Sequence, residues 1–253
     1  MAQIIVNGRR LTCEEGEYIL DICRRNDIDI PTLCRHDAVE PWGGCRLCIV
    51  EVSHLKWQGW KKHVTSCLYP AEDGLVVQTN TPQVREIRAT LLDLLLARCP
   101  NSELIQELAA EYGVTETSYV PREAADNCIL CGLCVRTCDE VIGRTAIGSA
   151  GRGVQREIAT PLREAPPDCI GCGSCAYVCP TDVIQIIQTP THRIIWERSF
   201  EMLTCKECGR ANITEAQRDW MIERLNLPTD YYDLCDECKR KKVSGVQKAI
   251  AKF

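Results

Sequence analysis

Cys128-Ile-Leu-Cys131-Gly-Leu-Cys134-Val-Arg-Thr-Cys138 and Cys169-Ile-Gly-Cys172-Gly-Ser-Cys175-Ala-Tyr-Val-Cys179-Pro180 share one spacing, C-x2-C-x2-C-x3-C. Three cysteines at two-residue intervals let one looped backbone grip three corners of a cubane iron–sulfur cluster. The fourth then falls on the helix that follows. Gly132, Gly171 and Gly173 suit a loop whose backbone must approach an inorganic core closely. A pair of zinc knuckles is the alternative, but zinc sites usually draw their cysteines as two separated pairs.

The doubled run resembles that of two-cluster bacterial-type ferredoxins, in which the fourth cysteine of each motif ligates the other cluster. The resemblance implies Cys128, Cys131, Cys134 and Cys179 for one [4Fe-4S] cluster. It implies Cys169, Cys172, Cys175 and Cys138 for the second. Asp139 stands where a proline often follows the fourth cysteine, and Thr181-Asp182-Val183-Ile184 reads as the strand leaving the second motif. Between the motifs, Gly148-Ser149-Ala150-Gly151-Arg152-Gly153 is glycine-rich, but no clear strand precedes it and no helix opens from it. It reads as a turn rather than a nucleotide fingerprint.

The chain has 253 residues, enough for two or three small domains, and nineteen cysteines. Their C-x2-C clustering points to metal in a reducing cytosol rather than to a disulfide scaffold. The expected location is therefore cytoplasmic. The first residues show no basic and apolar leader pattern. The apolar run Leu91–Ala97 is broken by Asp93 and too short to span a bilayer, so no direct membrane span is expected. A net charge of −5 argues against a nucleic-acid partner. The one basic run, Lys239-Arg240-Lys241-Lys242, reads as a solvated helix end.

Residues 1–80 begin with two short apolar runs around Asn7-Gly8, a hairpin signal. Tyr18, Ile19, Ile22 and Cys23 then recur at helical spacing. Hairpin, helix, cysteine loop and further strands is the order of a β-grasp domain. Cys13 and Cys23 read as small core residues. Cys34, Cys45, Cys48 and Cys67, spaced C-x10-C-x2-C-x18-C, are the candidate ligands of a [2Fe-2S] cluster. The first gap is longer than in plant-type ferredoxins. The logic is shared: an irregular loop carries three thiolates and a later strand supplies the fourth. Trp42-Gly43-Gly44 permits the tight path before Cys45, and Lys56–Lys62 reads as a hairpin tip. A zinc site is the alternative. His36 and His63 lie nearby and read as surface or supporting residues, because four cysteines already complete the set.

Residues 81–120 form a helical connector, with Thr81 as cap, Pro82 in the first turn and Val84, Ile87, Leu91, Leu94 and Leu95 on one apolar face. A second helix runs from Ser102 to Tyr112, and Cys99 receives no role. Residues 121–190 hold the 2[4Fe-4S] ferredoxin-like domain. Residues 191–253 form a small tail with a strand near Arg193–Trp196 and a helix near Glu215–Leu225. This tail carries two C-x2-C pairs, Cys205 with Cys208 and Cys235 with Cys238. They suit one tetrahedral site, zinc by preference, with a rubredoxin-like iron or a fourth cluster as alternatives. The fold class expected is thus α+β: a β-grasp [2Fe-2S] domain, a helical connector, a 2[4Fe-4S] ferredoxin-like domain and a four-cysteine metal tail.

The loop Cys34-Arg-His-Asp-Ala-Val-Glu-Pro-Trp-Gly-Gly-Cys45-Arg-Leu-Cys48 carries a wider resemblance, together with the runs at Asn127-Cys128 and Asp168-Cys169. Over about residues 2–188 the chain resembles the iron–sulfur subunit of the diaphorase module of NAD(P)-linked [NiFe] hydrogenases, electron-bifurcating forms among them. It is also similar to the N-terminal region of the large iron–sulfur subunit of respiratory complex I and of multi-cluster [FeFe] hydrogenases. Those last two place a histidine-plus-three-cysteine cluster after the first helix. Here Ala97-Arg98-Cys99-Pro100-Asn101-Ser102-Glu103-Leu104 lacks the histidine and two of the cysteines, so that cluster is expected to be absent. The resemblance implies a one-electron conductor between a flavoprotein that oxidises NAD(P)H and a hydrogenase catalytic subunit. A formate dehydrogenase terminus or an assembly scaffold are the rival readings. No nucleophile with a base, HExxH motif or dinucleotide motif stands out, so a non-catalytic subunit of an oxidoreductase is expected.

Overall fold

Asn7 and Gly8 adopt positive φ of 49° and 84°, the backbone that a two-residue turn matched to strand twist requires. They join β1 (Ala2–Val6) to β2 (Arg9–Cys13), paired antiparallel with Ile4 opposite Leu11. Alternation turns Ala2, Ile4, Val6, Leu11 and Cys13 inward. Helix α1 (Ile19–Arg25) lays Ile19, Leu20, Ile22 and Cys23 on the same core. β3 (Ile49–His54) and β4 (Lys61–Thr65) form the long hairpin, and β5 (Leu75–Gln78) inserts parallel to β1 and antiparallel to β3. The sheet order is β2-β1-β5-β3-β4. Burial pushes the Cys13 thiol up and the Cys23 thiol up to about 11, so both stay protonated core residues.

The computed structural model describes residues 1–122 and 127–250. They fall into two compact units, Met1–Val141 with Val178–Val183, and Ile142–Tyr177 with the described residues from Ile184 on. Among the described residues no helix is long and apolar enough to cross a membrane.

In the first unit α2 (Pro82–Arg98) starts where Thr81 Oγ1 accepts the Val84 N–H at 3.2 Å, a side-chain cap worth about 1 kcal/mol. Its buried stripe is Val84, Arg88, Leu92 and Leu96, whereas Leu94 is exposed. This corrects the face expected from the leucines. The stripe is displaced because the cysteine loop offers carbonyls that only a donor can satisfy. Arg88 is 2% exposed and donates from Nε to Leu47 O (3.0 Å) and from a terminal nitrogen to Ile49 O (2.7 Å). A third nitrogen donates to the Tyr112 hydroxyl at 3.2 Å. Helix α3 (Glu103–Glu111) packs Ile105 and Ala109 into one cluster with Leu33, Leu47, Leu92, Leu96 and Cys99. Helix α4 (Leu133–Arg136) runs into a π-helical turn, Thr137–Val141.

The second unit opens with a small hairpin, β6 (Gly148–Ala150) and β7 (Glu157–Ala159), and a short helix α5 (Ser174–Tyr177). The strand expected at Thr181–Ile184 does not form; Asp182 sits at φ 51°, which an extended strand excludes. Pairing begins at β8 (Ile187–Gln188) and continues through β9 (His192–Ile195), β10 (Arg198–Thr204) and β11 (Ala211–Thr214), in the order β11-β10-β9-β8. Helix α6 (Glu215–Leu225) follows, then α7 (Asp236–Ile250). The basic run lies on α7, where Lys241 pairs with Glu237 (2.9 Å) and Lys242 with Glu207 (3.5 Å).

Arg88→Met keeps the apolar stem and removes the donors to Leu47 and Ile49. Two unmade bonds to an ordered loop should cost about 2–4 kcal/mol. Urea unfolding followed by circular dichroism is expected to show that loss. An unchanged midpoint would mean that those carbonyls find other donors.

Candidate metal centres

In the first unit the chain from Cys34 to Cys67 brings four sulfurs together around a loop. Cys34, Cys48 and Cys67 are buried and Cys45 half-buried. The Cys48 and Cys67 sulfurs lie 3.3 Å apart. Leu33 N–H donates to the Cys45 sulfur and Cys45 N–H to the Cys34 sulfur, each at 3.4 Å. Cys67 is held in a turn just after β4, not on a strand as expected. The Ser66 hydroxyl and N–H fix that turn by donating to Cys48 O at 2.7 and 3.1 Å. Sharing the Cys34 proton brings the Cys45 thiol down to about 5, and sharing that of Cys67 brings Cys48 down to about 7. Cys34 and Cys67 are correspondingly pushed up. Four soft thiols, sharing protons in pairs and met by N–H donors, are the donor set that iron–sulfur chemistry requires. His36 and His63 play other parts. His36 Nδ1 accepts Ala38 N–H at 3.1 Å, and His63 on β4 lies 4.0 Å from Glu51.

Cys128, Cys131, Cys134 and Cys179 also belong to the first unit. Burial pushes the Cys131 thiol up to about 11, with the neighbouring sulfurs of Cys179, Cys128 and Cys45 adding to it. A single apolar cluster joins Cys34, Val39, Cys131, Leu133 and Val178. Arg98 Nε donates to Cys128 O at 2.6 Å. Cys138 lies in the π-helical turn after α4.

Cys169, Cys172 and Cys175 lie in the second unit. Gly171 N–H donates to the Cys169 sulfur at 3.4 Å. The opposite, carbonyl side of this loop is taken by the C-terminal sheet. Arg193 on β9 donates to Gly171 O (2.8 Å) and Cys172 O (3.3 Å). Arg198 on β10 donates to Cys169 O (2.9 Å), to Pro166 O (2.7 Å) and to Pro167 O. Thr214, fully buried, donates its hydroxyl to Ile170 O at 2.6 Å and accepts Gln217 N–H at 3.1 Å, so it caps α6 and braces the loop at once.

The two C-terminal pairs meet. The sulfurs of Cys205, Cys208, Cys235 and Cys238 all lie within 4.8 Å of one another. Cys235 N–H donates to the Cys205 sulfur at 3.3 Å, and with the Cys208 amide it brings that thiol down to about 6. Arg210 hydrogen-bonds Cys208 and pairs with Glu237 on α7. Burial pushes Cys238 up to about 12. The set is all sulfur and closed, which fits a structural metal ion.

Cysteine spacing does not point to the groups that hold these loops: Arg88, Arg98, Arg136 (which donates to Cys34 O at 3.0 Å), Arg193, Arg198 and Thr214. The fit at Gly171 is tight: with φ 67°, an added Cβ would lie 2.7 Å from the Phe200 ring. Gly171→Ala is expected to cost about four irons per chain, the content of one cubane. Phe200→Leu in the same chain should return part of them, read by iron and sulfide analysis. Full iron in Gly171→Ala alone would show that the loop tolerates the shift.

Residues 1–82 match the model of a 2Fe-2S iron–sulfur cluster binding domain, and residues 127–183 that of a 4Fe-4S dicluster domain. The NADP-reducing hydrogenase subunit HndD of Solidesulfovibrio fructosivorans is 31% identical over 78% of this chain and 37% of its own length. The NADH-ubiquinone oxidoreductase 75 kDa subunit of Reclinomonas americana is 32% identical over 63% of this chain and 26% of its own. The mitochondrial NADH-ubiquinone oxidoreductase 78 kDa subunit of Neurospora crassa is 28% identical over 63% and 24%. This chain therefore spans between about a quarter and somewhat over a third of the length of these curated relatives. A crystal structure of NAD+-reducing [NiFe]-hydrogenase in the H2-reduced state superposes with a TM-score of 0.54 at 29% identity, covering 63% of this chain and 74% of that one. With a 2Fe-2S domain at its start and a 4Fe-4S dicluster domain after it, the chain is an iron–sulfur protein homologous to HndD and to the 75 kDa and 78 kDa subunits of NADH-ubiquinone oxidoreductase.

Proposed function

We propose that this chain is a non-catalytic electron-transfer subunit, carrying single electrons between a flavoprotein that oxidises NAD(P)H and a hydrogenase catalytic subunit. The observation that carries the proposal is the twelve-cysteine set, laid out in loops with amides donated to sulfur, in a chain similar to HndD and to the NAD+-reducing [NiFe]-hydrogenase structure. On this reading Cys34, Cys45, Cys48 and Cys67 hold a [2Fe-2S] cluster in a β-grasp domain. Cys128, Cys131, Cys134 and Cys179 hold one [4Fe-4S] cluster. Cys169, Cys172, Cys175 and, by its spacing, Cys138 hold the other. When bound, such clusters supply one-electron redox chemistry at potentials set by hydrogen bonding and burial. The chain's own residues fix the sulfurs, direct amides to them and keep apolar side chains around them. The segment Ala97–Leu104 favours the diaphorase-type subunit of [NiFe] hydrogenases over the complex I and multi-cluster [FeFe] hydrogenase relatives. Cys99 closes α2 inside an apolar cluster with Leu92, Leu96 and Ile105, where the complex I relatives are expected to place a further cluster.

For the tail, the four-cysteine set supports one zinc ion that fastens α7 to the sheet, since a small unit gains folding free energy from a bound metal. Metal analysis of anaerobically prepared protein is expected to give about ten iron, about ten sulfide and one zinc per chain. Half that iron, or iron in place of zinc, would revise the assignment of the deficient site.

Anaerobic co-purification tests the role. A flavoprotein and a nickel-containing pair should accompany the chain, and NADH or NADPH should bleach its visible absorption only when the flavoprotein is present. A molybdenum or tungsten subunit instead would move the terminus to formate. Clusters that stay oxidised with the flavoprotein and excess NAD(P)H would point to a scaffold.

A further inference from the structure

Arg136 lies between Cys134 and Cys138 in sequence, yet its guanidinium is spent on the other cysteine loop. One terminal nitrogen donates to the backbone oxygen of Cys34 at 3.0 Å, and the other donates to the backbone oxygen of Glu40. Its guanidinium carbon stands 5.6 Å from the Trp42 ring centroid. That ring is itself wedged between the two loops. A Cβ added at Gly44, next to Cys45, would meet it at 2.7 Å, and one added at Gly132, next to Cys131, at 2.9 Å. The Glu40 N–H donates to Glu140 at 2.9 Å, a second tie between the same two segments. Cys34 and Cys131 share one apolar cluster, and the Cys45 sulfur is close enough to act on the Cys131 thiol.

Resting on the cluster assignment above, we propose that Arg136 is a positioning residue shared by the [2Fe-2S] centre and the first cubane, its single charge holding both in reach of reduction. A fixed cation beside a cluster favours the state with one more electron. Two clusters that face the same cation gain together, where two clusters facing only each other's added charge would each make the other harder to reduce. Trp42 covers one face of the guanidinium, which lowers its contact with water and lengthens its reach. An arginine rather than a lysine suits the place because two carbonyls must be met by one planar group that keeps its charge at any working pH.

The test is a redox titration of the full, anaerobically prepared chain followed by electron paramagnetic resonance, comparing Arg136→Lys with Arg136→Met. Arg136→Met should lower the midpoint potentials of both the [2Fe-2S] centre and the first cubane by about tenfold in reduction equilibrium, or about 59 mV for one electron. Arg136→Lys keeps the charge but not the fork, and should lower both potentials by less than half as much. Arg136→Gln, which keeps one donor and lacks the charge, replaces Arg136→Met if that variant does not hold iron. With iron content intact, unmoved potentials, a change confined to one centre, or equal shifts in the lysine and neutral variants would overturn the proposal. A wild-type chain without a [2Fe-2S] signal would overturn the cluster assignment itself, an outcome read before any variant is made.

Discussion

A peptide whose N–H is turned toward a sulfur has its carbonyl turned away, and that carbonyl must still be satisfied. At Gly171, whose N–H donates to the Cys169 sulfur, the carbonyl of the same peptide, Ile170 O, is taken by the Thr214 hydroxyl, and arginines take further carbonyls of the three iron–sulfur-type cysteine loops. Arg88 takes the carbonyls on either side of Cys48, Arg136 that of Cys34, and Arg98 that of Cys128. Arg193 and Arg198 divide those of Cys169, Gly171 and Cys172. A guanidinium suits the task because its planar fork reaches two oxygens at once and keeps its charge when half buried. The same charge opposes the negative charge of thiolate loops. Arginine thus meets loop carbonyls and opposes thiolate charge together, and the helices and strands serve to present it.

The C-terminal segment gains meaning from this constraint. Its strands bring Arg193 and Arg198 to the second cysteine loop, Phe200 lies against Gly171, and Thr214 links that loop to the start of α6. The four-cysteine set then closes the segment by joining the turn after β10 to the head of α7. Buried apolar residues in this part are few, chiefly Ile195, Phe200 and Met202. A metal ion is an economical way to hold so small a sheet in one register. The segment is therefore part of the apparatus that shapes the second loop, not an appendage to it.

What the sequence made legible were the local signals with a fixed chemistry. Cysteine spacing pointed to the sulfurs that meet between Cys34 and Cys67 and to the four that meet in the C-terminal segment, Asn7-Gly8 to the first turn, Thr81-Pro82 to the start of α2, and helical patterning to the span of α6. The misses share a cause as well. Arg88 occupies a core position because its partners lie 41 and 39 residues away, and no window along the chain contains both. The turn Trp196-Glu197 closes β9 on β10 with positive φ at both residues, although neither is a usual turn former, so the second strand passed unnoticed. Asp182 interrupts an apparent strand through backbone geometry that its identity only hints at.

The segment after α2 packs against the first cysteine loop. Cys99 and Ile105 pack against Leu47, the residue before Cys48, so the space beside the [2Fe-2S] loop is filled by side chains that stiffen it. Buried apolar contact of this kind supports the loop from the same face of α2 that carries Arg88. On the other flank of the same loop, Cys34 shares an apolar cluster with Cys131, with Trp42 wedged between Gly44 and Gly132. The proposed [2Fe-2S] and first [4Fe-4S] ligand sets are thus near neighbours within one packed unit. On the proposed reading, electrons would pass between these two sets within that unit.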